Sequence, residues 1–63
     1  MKFAEYLKKK KIRQEDAAEQ LETTQATISR WVKGENIPRP EQMAKIRLWS
    51  KGRVKITDFY GEN

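Results

Sequence analysis

The stretch QEDAAEQLETTQATISRWVKG, Gln14 to Gly34, decides the fold of this chain. Its apolar residues form two short helical patterns with a polar break between them. The first opens with Gln14, Glu15 and Asp16, whose two acids suit the positive end of a helix, and turns Ala17, Ala18 and Leu21 inward. In the second, Gln25 to Val32, the residues Ile28, Trp31 and Val32 are the apolar ones. Thr23 and Thr24 offer capping hydroxyls ahead of it, and Gly34 provides a stop behind it. Two helices joined by a turn of about three residues are predicted. The second leaves Gln25, Ala26, Ser29 and Arg30 exposed.

Working outward, Phe3, Tyr6 and Leu7 share a face at helical spacing, so a first helix is predicted from residue 3 to about 10. It runs into KKKKIR, Lys8 to Arg13, five cations in six positions. Cations there complement the negative end of a helix, and the same charges suit contact with phosphate. On the other side, ENIPRP holds Pro38 and Pro40, which forbid a helix and impose an extended connection. Pro40 then fits the first turn of a helix over EQMAKIRLWS, in which Met43, Ile46 and either Leu48 or Trp49 share a face; it ends near Ser50 to Gly52. In the tail, RVKITDFYGEN, Val54 and Ile56 alternate as in a short strand, while Thr57 is placed to cap a last helical turn carrying Phe59 and Tyr60. An extended segment followed by a turn is favoured over a hairpin, because no Asn-Gly or Asp-Gly pair is present. The expected fold class is all-α: a compact four- to five-helix bundle containing a helix-turn-helix, with a short extended or helical C-terminal tail, in one domain spanning residues 1–63.

Sixty-three residues are near the lower limit for burying a self-sufficient core, and too few for a deep cleft with its supporting shell. Without cysteine there is no disulfide framework or thiolate metal site. Without histidine, the commonest general base and zinc ligand are missing too. The composition therefore argues against an enzyme, and no metal or cofactor is expected. Lys and Arg number 14 against 9 Asp and Glu, which sets the pI near 9.8 and favours a polyanionic partner, nucleic acid before membrane. No apolar run approaches the ~18 residues of a membrane span, so a soluble, cytoplasmic protein with no membrane partner is expected.

Gln14, Ala18, Leu21, Thr24, Gln25, Ile28, Ser29, Arg30, Trp31 and Gly34 fall at the spacing Q-x-x-x-A-x-x-L-x-x-[ST]-Q-x-x-I-S-x-W-x-x-G. This resembles the helix-turn-helix of phage repressor and Cro proteins and of their bacterial relatives in the XRE group, with Cro the closer type. The resemblance is strongest over residues 14 to 34, about a third of the chain. A small residue, here Ala18, is needed where the two helices approach, and Leu21, Ile28 and Trp31 fill the angle between them. The resemblance implies sequence-specific binding of double-stranded DNA, with the helix at about 25–32 in the major groove of a palindromic operator. Gln25, Ala26, Ser29 and Arg30 are the expected base contacts; Arg is the side chain that reads guanine through two hydrogen bonds. Thr24 and Thr27 at the helix start, with Lys33, Asn36 and Arg39 beyond its end, are the expected phosphate contacts. Gln14 joins them on the resemblance alone. In the family that this stretch resembles, glycine usually stands where this chain has Glu22, because the backbone there tends to be left-handed; Glu22 can adopt that conformation at a cost of ~1 kcal/mol, and is expected to point to solvent.

One recognition helix reads few base pairs, so a homodimer is expected, weak in solution and completed on DNA. The candidate dimer surface is Trp49, Val54, Ile56, Phe59 and Tyr60, with Trp49 and Tyr60 the stronger candidates because Ile56 and Phe59 are equally suited to closing the core. No small-molecule ligand is expected. Two other uses of such a chain are the antitoxin of a toxin–antitoxin pair, built on the same helix-turn-helix, and a small basic RNA-binding protein. The second is disfavoured because neither an aromatic-bearing sheet nor a Gly-rich clamp is evident.

Overall fold

Five helices follow one another in the computed structural model, which describes residues 1–60 with the exception of the Tyr60 side chain. They are α1 (Phe3–Lys10), α2 (Gln14–Gln20), α3 (Gln25–Lys33), α4 (Pro40–Trp49) and α5 (Thr57–Tyr60), and no strand occurs among the described residues. The fold is all-α, as the periodicity requires.

Each boundary has a local cause. At the start of α1 the Glu5 carboxylate accepts the backbone N–H of Lys2 at 3.3 Å, and at the start of α4 the Gln42 amide oxygen accepts that of Arg39 at 3.1 Å. Pro40 opens α4, where its missing N–H costs nothing. Helix α1 stops at Lys11 and α3 at Gly34, both left-handed with φ of 57° and 78°, so that their N–H groups turn back onto carbonyls of the preceding turn. Glycine takes that conformation without strain; lysine does not.

Phe3, Tyr6 and Leu7 of α1, Ala17 and Ala18 of α2, Ile28 and Trp31 of α3, and Met43 and Ile46 of α4 converge on one core with Leu21 and Val54. Ala17 is fully buried and Ala18 nearly so, and small side chains here let α2 pack closely on α3. Phe3 meets the Trp31 ring edge-on with centroids 5.8 Å apart, which ties α1 to α3. Ile12, Val32, Trp49, Ile56 and Phe59 pack partly buried around this centre.

The tail resolves the choice between strand and helix in favour of helix. Thr57 does not cap the turn; instead Asp58 Oδ2 accepts the Lys55 backbone N–H at 2.9 Å and the Met1 ammonium at 3.0 Å. Val54 is fully buried and its N–H donates to the Ser50 hydroxyl at 3.1 Å, so it belongs to the core and not to the exposed surface expected of it. On α4, Trp49 is the residue that turns inward beside Met43 and Ile46, while Leu48 is 83% exposed.

Candidate nucleic-acid interface

Helix α3 divides sharply. Ile28 is fully buried and Trp31 nearly so, and both anchor the helix to the core. Gln25, Ala26, Arg30 and Lys33 are exposed, with Thr27 and Ser29 half-buried beside them. Spacings of three and four residues set these side chains one above another, so Gln25 stands over Ser29, and Ala26 over Arg30 and Lys33.

At the head of α3 the Thr24 hydroxyl accepts the Thr27 backbone N–H at 3.1 Å and lies 2.9 Å from the Thr27 hydroxyl. Of the two hydroxyl protons one is used between the pair, which leaves the other to donate outward. The first turn of α3 contains no acid, so the positive end of its dipole is unopposed, and Arg30 and Lys33 occupy its last turn. The opposite holds for α2, where Glu15 and Asp16 fill the first turn around half-buried Gln14. Arg13 holds both carboxylates, at 3.5 Å and 3.2 Å, and the Asp16 hydrogen bond together with the two negative charges raises the guanidinium pKa further. That pairing tempers the negative charge beside Gln14.

Arg30, Lys33 and Arg39 have no ion-pair partner among the described residues. Asn36 and Arg39 are exposed in the connection that leaves α3. The structure thus brings Gln25, Ala26, Ser29, Arg30 and Lys33 onto one side of one helix, with Thr24 and Thr27 at its head and Asn36 and Arg39 beyond its end. Gln14 stands apart at the first position of α2.

The turn between α2 and α3 fixes their relation. Leu21 is buried, Glu22 is left-handed with φ of 60°, and the Thr23 N–H returns to the Ala18 carbonyl at 2.9 Å. The Glu22 side chain points to solvent as expected, but it is held there: Lys45 Nζ on α4 lies 2.6 Å from its carboxylate. That hydrogen bond and the lysine charge lower the Glu22 pKa. Twenty-three residues separate the partners and no local pattern links them, so sequence reasoning had no signal for this contact.

The residues named for a dimer surface lie elsewhere. Trp49 is half-buried, with its ring 5.1 Å from that of Tyr6 and 6.0 Å from that of Phe3, and its indole N–H donates to the Gln20 amide oxygen at 2.6 Å. Phe59, 5.7 Å from Phe3, and Ile56 are also half-buried. Tyr60 closes α5, and its side chain lies outside the described residues. Among the described residues no group of acids, histidines or cysteines could hold a metal ion, and no helix is long and apolar enough to cross a membrane.

No curated protein and no solved structure gives a significant match to this chain. The sequence model of one family does match, from residue 3 to residue 47, and its description is helix-turn-helix. That span covers α1 to α3 and most of α4, including the buried angle between α2 and α3 and the exposed side of α3. The chain therefore belongs to the helix-turn-helix family of DNA-binding regulatory domains.

Proposed function

We propose that this protein is a sequence-specific transcriptional regulator of the phage repressor and Cro type, binding a palindromic operator as a dimer in the cytoplasm. One observation carries the reading: α3 buries Ile28 and Trp31 and leaves a polar, cationic side free, among the described residues, of acids and of internal ion pairs. A helix of this width enters the major groove. In this pose Gln25, Ala26, Ser29 and Arg30 meet base edges. Thr24, Thr27, Lys33, Asn36 and Arg39 meet the phosphates that flank the groove, and Gln14 approaches a phosphate from the start of α2. Work of this kind requires positioning and charge alone, with no cofactor, metal, small-molecule ligand or reaction.

Selection of bound duplexes from a random library tests the proposal. The expected result is a single consensus with two-fold symmetry, whose binding weakens steeply with salt. Retention of all duplexes alike would remove sequence specificity. A consensus without symmetry would remove the dimer.

A further inference from the structure

Helix α4 has a second side that the core does not use. Met43 and Ile46 face inward, yet Leu48 is 83% exposed, the most exposed large apolar side chain among the described residues. It stands at the edge of an open hollow of about 580 Å³ lined by Ala44, Arg47, Leu48, Lys51 and Gly52. Two further hollows adjoin it through Arg47, one reaching Pro38, Pro40 and Ile56, the other Lys55 and Thr57. A continuous strip results, with an apolar floor and cations along it.

Among the described residues its charge is of one sign: Arg47, Lys51 and Lys55 line the strip, no carboxylate lines it, and none of the three has an ion-pair partner. Lys45, the other cation of α4, is by contrast taken up by Glu22. The nearest acid along α4 is Glu41, one turn before Ala44 and outside the lining. Exposing Leu48 contributes nothing to folding, and a lone surface leucine would call for no explanation. A leucine set in a concave apolar strip with unpaired cations around it is a different case.

We propose that this side of α4 docks an acidic amphipathic helix of a partner protein. An apolar stripe on that helix covers Leu48 and Ala44, and flanking carboxylates meet Arg47, Lys51 and Lys55. Helix α4, with ten residues, is about 15 Å long, which two to three turns of a partner helix span. Charge selects this occupant over a second copy of the chain. In a two-fold contact the same patch meets itself, so each of these cations would face its own kind. The strip shares no residue with α3, so docking leaves the DNA-facing side clear, and the inference does not depend on DNA binding.

The test is a titration of the ¹⁵N-labelled protein, without DNA, with a synthetic amphipathic peptide bearing leucines on one side and glutamates along both flanks. A second peptide has lysine at every glutamate position. Saturable shifts at Ala44, Arg47, Leu48, Lys51 and Gly52 are expected with the acidic peptide, and none with the basic one. Leu48→Ser, at an exposed position that leaves Tm unchanged, is expected to weaken binding about tenfold, as is the pair Arg47→Glu with Lys51→Glu. Shifts confined to Gln25–Lys33 or Lys8–Lys11, or equal binding by Leu48→Ser, would overturn the proposal. Shifts at Ala44–Gly52 that grow with protein concentration alone would identify a second copy as the occupant, and would overturn it as well.

Discussion

Glu22 holds a left-handed backbone, with φ of 60°, although it carries a side chain. A non-glycine residue there costs ~1 kcal/mol in backbone strain, and the exposed contact with Lys45 recovers little of it. Glu22→Gly is therefore expected to raise Tm by a few degrees without changing the preferred duplex; a clear fall would show that the link to α4 outweighs the strain. Gln25 and Arg30 differ in kind, since both side chains are exposed and no ion pair among the described residues holds Arg30. Replacing either by alanine is expected to leave Tm unchanged and to cost ~1–3 kcal/mol on the preferred duplex, with much less loss on random DNA. Equal losses on both would reassign the residue to phosphate. Lys33→Ala or Arg39→Ala is expected to weaken all duplexes alike and to reduce the salt slope by about one unit each.

At the scale of elements, the helices and caps were legible because each rests on neighbours in sequence. The Thr24 cap, the Gly34 stop and Pro40 at the first position of α4 act over one turn, so local rules find them. The division of α3 was equally legible, because a period of 3.6 separates Ile28 and Trp31 from Gln25 and Arg30. The tail was not, since α5 depends on contacts from distant parts of the chain. Burial pushes the Asp58 carboxyl up, but hydrogen bonds from the Lys55 N–H and the Met1 ammonium outweigh this, and its pKa falls below the ordinary value. Likewise Trp49 turns inward where Tyr6, Phe3 and Gln20, distant in the chain, meet it. A depressed carboxylate pKa favours the folded state while the group is ionised. The Asp58 contribution is therefore complete above about pH 4 and lost as the pH falls through the lower, folded value. Asp58→Asn is expected to lower Tm at pH 7, and its difference from the parent to shrink as the pH falls below about 4; a gap that keeps its size would exclude the ionised contact.

The whole molecule sets the terms of assembly. One helix reads only a few base pairs, too few to single out a site among genomic competitors, so on the proposed function a lone copy is expected to be a weak and unselective binder. A two-fold dimer doubles the reading, with half-site centres about 34–36 Å apart so that both copies approach one face of the duplex. The surface proposed for that contact is small. Trp49, Ile56 and Phe59 spend much of their area on the core of their own chain, and only their outer rims remain for a partner copy. Each copy also carries a formal charge of +5, which opposes pairing in solution and is neutralised when both copies lie on phosphates. Small contact area and like charge together predict mostly monomer when free and two chains per palindromic duplex, with the DNA completing the dimer. Sedimentation with and without such a duplex measures both states. Inserting five base pairs between the half-sites adds a second arm: half a helical turn places the half-sites on opposite faces, so cooperative binding is expected to vanish while each half-site keeps its weak intrinsic affinity. One chain per duplex at saturation, or cooperativity that survives the insertion, would rule out the dimer.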